Sequence, residues 1–111
     1  MRVWTNFTGE IVRVSKEAAQ LFNLSQRNLR LRPIHHFFDG DRHQLVEALD
    51  RTALGIPGTL AGVVRPREKR PCAVLVVLEP DETQSGLVRW TLRPAPFKHT
   101  VRTGDATASA A

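Results

Sequence analysis

Asp39, Asp41 and His43 alternate along one short stretch around Gly40, bringing two carboxylates and an imidazole close together in the chain. These are the residue types of general acid–base catalysis, where one group moves a proton and a neighbour orients it. They also have a simpler use, because carboxylates at a helix start accept from its free N–H groups and sit well at the positive end of its dipole. A catalytic set would also need a nucleophile, and the chain has no Gly-x-Ser-x-Gly elbow, phosphate loop or dinucleotide glycine pattern. The sequence therefore reads as non-catalytic. His35 and His36 are adjacent, so on a helix their rings diverge and do not share one small ion, and His99 lies far off near the end. With one cysteine, Cys72, and no His/Cys spacing of the metal-site type, no metal centre is expected. Trp90 carries an N–H donor that needs a partner if buried.

Composition narrows the classes. A length of 111 residues suits one domain, and 41% hydrophobic residues spread up to Phe97 are enough for a core. The lone cysteine fits a reducing compartment, and the longest apolar run, 72–78, is far short of a membrane span. The start, Met1-Arg2-Val3-Trp4-Thr5-Asn6, does not read as a secretory signal, so a cytoplasmic protein is expected. Sixteen basic against eleven acidic residues give a net charge of +5. A basic nucleic-acid-binding module is thus one alternative. The basic residues fall in separate groups, however: Arg65, Arg67, Lys69 and Arg70, then Arg27, Arg30 and Arg32, then Lys98 and Arg102. No aromatic residues are interleaved to stack on bases, so solvated turns are the expected role.

The elements that must position these groups follow from periodicity and turn residues. Residues 3–7 and 10–14 read as antiparallel strands joined through Thr8-Gly9, with Ile11 and Val14 facing a core. Ser15 caps a helix over 16–23 whose apolar face is Ala18, Ala19, Leu21 and Phe22. Pro33 breaks 25–38 into two short turns. Asp41 with Gln44 opens a helix ending at Gly55, with Leu45, Leu49 and Ala53 joined by Val46 and Leu54 as its apolar stripe. Three strands follow, over 59–65, 71–79 and 86–93. The middle one, apolar at successive positions 73–78, should be a central strand covered on both faces. The helices supply one cover. The other would be Val3-Trp4, the stems of Arg89 and Arg93, a second subunit or a flanking helix. The fold class is α+β, with a domain over residues 1–96 and a flexible tail over 97–111.

The run from Thr8 to Ser25 resembles the start of a PAS domain: a glycine turn, a strand, a polar cap, an alanine pair, a bulky apolar pair and a serine. The likeness continues through Phe37-Phe38, Asp41-Arg42-His43 and Gly86-Leu87-Val88-Arg89-Trp90-Thr91-Leu92-Arg93-Pro94, and so covers residues 3–96. It implies a five-stranded antiparallel sheet with short helices packed on one face. The space between them would be lined by Phe22, Ile34, Phe38, Leu49, Leu60, Val64, Val76 and Trp90, and would hold a small ligand or be filled by the side chains themselves.

The resemblance also implies a function. The chain would be a sensory and dimerisation module of a cytoplasmic signal-transduction protein, pairing through the sheet face or flanking segments and acting on an effector domain. No cofactor is required by this reading. In heme-binding members of the family a histidine preceded by arginine on this helix ligates the iron, and Arg42-His43-Gln44-Leu45 is similar, which makes a heme gas sensor the first alternative. There Arg65 or Arg67 would reach a bound gas. The light-sensing flavin branch needs a cysteine where this chain reads Gln26-Arg27-Asn28-Leu29-Arg30, which leaves only flavin bound without an adduct.

Overall fold

The computed structural model describes residues 1–40 and 42–95. Asp41, His99, the domain boundary expected at residue 96 and the tail expected over 97–111 lie outside the described residues. The described residues form one antiparallel sheet, curved around short helices on a single face.

The chain begins with a hairpin, β1 (Arg2–Thr5) and β2 (Ile11–Val14). Its turn is built by Asn6, whose side-chain oxygen accepts from the N–H of Thr8 at 3.1 Å, the N–H of Glu10 at 2.9 Å and the hydroxyl of Thr8 at 2.7 Å. Gly9 completes it at φ +89°, a conformation that L side chains adopt only under strain. Trp4 pairs with Arg13 but Thr5 pairs with Ile11, so Val12 is an extra residue in the ladder. This bulge explains how Ile11 and Val14, three positions apart, are both buried while Val12 is exposed.

Ser15 caps α1 (Lys16–Phe22), as expected, accepting from the N–H of Ala18 at 3.2 Å and also from the N–H of Arg2 at 3.1 Å. One hydroxyl thus ties the helix start to the first strand. Asn23, at φ 58°, ends the helix in the left-handed conformation that asparagine tolerates. Ser25 caps the short α2 (Gln26–Leu29), and a 3₁₀ turn, Ile34–Phe37, follows Pro33. The link between them is laced to the hairpin through backbone bonds from Ile11 to Arg32, Leu31 to Ile11 and Ile34 to Gly9.

Among the described residues the expected five strands are six. Phe38 and Asp39 form β3 (Phe38–Asp39), pairing with Val64 and Val63, and a two-residue strand is too short to show a period in sequence. The helix α3 (His43–Ala53) starts with Arg42 at its cap, which contributes no side-chain bond. Its buried face is Leu45, Leu49 and Thr52, spaced by four and three residues. The expected stripe is corrected here, because Val46, Ala53 and Leu54 are exposed. Thr52 takes the inward place because its hydroxyl donates to the Ala48 carbonyl at 2.8 Å and so enters the core with its polar group satisfied.

The chain then makes an antiparallel meander, β4 (Gly58–Val64), β5 (Cys72–Pro80) and β6 (Val88–Pro94), giving the sheet order β2-β1-β6-β5-β4-β3. β5 is hydrogen-bonded on both sides, the central position that its apolar run suggested. Val74, Val76 and Leu78 face the helices and are buried, and Ala73, Leu75, Val77 and Glu79 alternate onto the outer face.

Candidate functional site

The sheet has two chemically different faces. On the inner one, Phe22, Ile34, Phe38, Leu49, Val64, Val76 and Trp90 all belong to one continuous core, and Leu60 packs against it half-buried. The residues expected around an interior space are therefore brought together. Phe38 lies 6.2 Å from Trp90, ring centre to ring centre, and over Gly62, where an added Cβ would meet its ring at 3.2 Å. Phe22 meets Phe37, a core aromatic not among the expected lining, at 5.2 Å. Beside Phe38, Leu45, Leu60 and Gly62 is a crevice of about 50 Å³, room for a water molecule or two and not for an organic ligand.

The polar feature that Trp90 demanded lies in the hairpin. Its indole N–H donates to the Thr5 hydroxyl at 2.9 Å, and that hydroxyl donates onward to the Asn6 carbonyl at 2.8 Å. Thr5 is fully buried. Sequence reading missed it, although its place opposite Ile11 on the inward side of a strand was the available signal.

His43 does not point into this core. It is the first residue of α3 and exposed, and helical geometry sets it about half a turn round from Leu45 and Thr52. Arg65 and Arg67 are also exposed, with Arg65 3.3 Å from Asp39 and Arg67 3.7 Å from Glu68. These residues do not fit a heme held in the core. Asp39 accepts from Arg65 and from the N–H of Gly40, so its carboxylate ties the loop to β4. The rings of His35 and His36 meet edge to face at 4.6 Å, and a guanidinium nitrogen of Arg42 lies 3.5 Å from His35 Nε2. Partial burial, then the neighbouring His36 and Arg42, hold the His35 imidazole below its usual pKa.

The outer face carries an open depression. Thr59, Ala61, Leu75, Val77, Thr91 and Arg93 line an apolar depression of about 580 Å³. The strand register puts them in two adjacent rows: Ala61, Leu75, Arg93, and then Thr59, Val77, Thr91, Arg2. A third row, Glu79, Arg89, Trp4, Arg13, borders them with charge. Arg89 bonds Glu79 at 2.7 Å, and the Arg13 guanidinium lies over the Trp4 ring at 4.1 Å. Asp81 accepts from the Trp4 indole at 3.2 Å and from Thr83 at 2.8 Å, and lies 3.9 Å from Arg89. The Thr83 hydroxyl is the main influence lowering the Asp81 carboxyl below its ordinary pKa, with the Trp4 and backbone N–H groups adding to it against an opposing effect of burial. Of the expected covers, Trp4 reaches this face but shields the β1–β2 side, and Val3 points inward and is fully buried. Leu75 and Val77 stay partly exposed.

No family model and no curated protein matches this sequence. Solved structures do. The PAS domain of an HTR-like protein from Haloarcula marismortui superposes with a TM-score of 0.76 at 15% identity, over 86% of this chain and 85% of that one. A domain of the sensory box sensor histidine kinase/response regulator from Geobacter sulfurreducens gives 0.71 at 14% identity, covering 83% and 80%. The PAS domain of the Cronobacter turicensis RpfR quorum-sensing receptor, in complex with BDSF, gives 0.72 at 10% identity, covering 86% and 92%. A curved antiparallel sheet with short helices on one face, matched at this level to domains of that kind, defines the class. The chain has the PAS fold.

Proposed function

We propose that this chain is a non-catalytic sensory module of a cytoplasmic signal-transduction protein, with its domain over residues 1–96. The packing of the helices on the inner face of the sheet is the sensing element, and the outer face is the output surface. The observation that carries this is the asymmetry of β5: Val74, Val76 and Leu78 are buried under the helices, while Leu75 and Val77, on the same strand, line an unfilled depression on the other side. A change in helix packing thereby reaches the outer face through a single strand. The companion on that face would be a second copy, as in a homodimer through the sheet, or an effector domain. Pairing of copies through flanking segments is the other arrangement. The packed core accommodates a small ligand only by rearranging.

The test is coupling between the faces. Leu49→Ala loosens the core where α3 packs on the sheet, and methyl and amide NMR shifts at Leu75, Val77 and Thr91 should move with it. Shifts confined to the helices and the inward positions would remove the proposal.

A further inference from the structure

We infer that the open edge of β4 takes an extended peptide as an added strand, antiparallel to β4, with an apolar residue followed two places later by an acidic one. This site lies on the rim of the sheet, apart from its outer face, and goes beyond the function proposed above. Backbone pairing fixes what the edge offers. Val63 pairs with Asp39, and the Arg65 N–H donates to the Phe37 carbonyl at 2.7 Å, so alternate residues of β4 turn their N–H and C=O groups away from β5. Ala61 and Thr59 continue that series past the end of β3, and both are exposed, their backbone groups without a hydrogen-bond partner among the described residues. They stand about 6.8 Å apart, the repeat of a strand, so an extended chain meets both at once.

This edge already accepts a strand. Phe38 and Asp39 pair on it, and the chain turns off at Gly40, at φ +93°, before reaching Ala61. The opposite rim is closed, because the Ile11 N–H donates to the Arg32 carbonyl at 2.9 Å, the Ile11 carbonyl accepts from the Leu31 N–H at 2.7 Å, and Glu10 bridges to Pro33. Residues 58–61 carry none of the usual guards of an edge, with no lysine, no proline and no bulge in the ladder to β5. Gly40 at one end and Pro57, which has no N–H, at the other leave room for about four paired residues.

Side chains set the sequence of the occupant. Gln44, Glu47, Ala48 and Arg51 of α3 face β4 across a groove of about 660 Å³. Residues directly opposite one another in a ladder share a face of the sheet, so occupant residues opposite Leu60 and Gly58 point into this groove. Opposite Leu60 the walls are Leu60 itself, half-buried, and Ala48, which suit an apolar side chain. At Gly58 an added Cβ would meet nothing within 4 Å, and Arg51 stands at this end, its carbonyl accepting from the Ile56 N–H at 3.1 Å. Arg51 is exposed and has no ion pair among the described residues, so it fits an acidic residue there. Glu47, one turn back toward Gln44, disfavours an acid at the other end. β3 runs antiparallel to β4 on this edge, and an occupant of the same sense meets Leu60 before Gly58.

The probe is the acetylated and amidated peptide threonine-valine-threonine-glutamate-threonine, titrated into the full chain at low salt and followed by NMR. In the free protein the Thr59 and Ala61 amides should exchange quickly with solvent. With peptide they should slow roughly tenfold and move downfield, while those of Leu60 and Gly62, which face β5, change little. The same peptide N-methylated at its first and third residues keeps every side chain but loses its two donors, and should not bind. Arg51→Glu, at an exposed site that leaves the melting curve in place, should weaken binding roughly fivefold, and a peptide with lysine for glutamate should recover it. Equal binding of the N-methylated peptide or of the reversed sequence, binding of no peptide, or slow exchange of the Thr59 and Ala61 amides in the dilute free protein overturns the inference. Protection of those amides that grows with protein concentration alone would name a second copy, paired edge to edge, and removes the peptide. Each of these outcomes is distinct from the coupling of the two faces, which Leu49→Ala tests separately.

Discussion

Trp90 on β6 donates its indole N–H to the hydroxyl of Thr5 on β1, 2.9 Å away and inside the core. Eighty-five positions separate them, so this bond fixes the N-terminal hairpin to the last strand with a direction as well as a contact. Replacing Thr5 by valine keeps the shape and strands the buried donor, at a cost of about 1–3 kcal/mol. Trp90→Phe opens a void as well, at a cost of a few kcal/mol. The double variant should be less destabilised than the sum, because the second change removes the group that the first left unsatisfied. Urea unfolding of the four proteins measures this, and strict additivity would show the bond to be idle.

Asp81 gives a pH-dependent prediction. Its folded pKa lies below the unfolded value, so its carboxylate adds stability above the unfolded pKa and that stability is lost as pH falls through the folded one. Asp81→Asn should therefore melt below the parent protein at pH 7, and the gap should shrink below about pH 4, where aspartate begins to protonate in the unfolded chain. Thermal melts of both proteins from pH 7 to pH 2 test it. A gap constant over that range would show that the carboxylate charge plays no part.

The polarity of α3 is testable by contrast. Leu49→Ala should cost about 2–5 kcal/mol, since the side chain is 5% exposed. Leu54→Ala, at a site 78% exposed, should stay within about 0.5 kcal/mol. Comparable losses in denaturant midpoint for the two would mean that the helix faces the sheet differently.

Much of this fold is legible from local chemistry. Ser15, Gly9 and Pro33 act within a few residues of themselves, and the turn, the cap and the break they announce are all present. The apolar run of β5 points to its central place in the sheet, but the cover expected on both faces lies on one alone, with Val74, Val76 and Leu78 buried and Leu75 and Val77 partly exposed. The failures are nonlocal. Val46 and Leu54 look like core residues on a helical wheel, yet the sheet lies under Leu45, Leu49 and Thr52, a rotation that depends on the partner surface. β3 exists only because Val63 and Val64 come to meet it. At the site, the eight inward residues follow from the PAS resemblance together with their apolar character, but Thr5 acquires its role from a tryptophan at the far end of the chain. His43 follows a local motif whose side of the helix the motif does not specify.

The bulge at Val12 has a consequence for how this hairpin tolerates change. Val12 packs little, so many side chains would serve there, and deleting the residue would leave Ile11, Arg13 and Val14 opposite Thr5, Trp4 and Val3 in regular inward and outward alternation, at the loss of the local bend. Position 12 is thus a surplus link that bends the hairpin, indifferent to which amino acid fills it and not needed to keep its neighbours in phase.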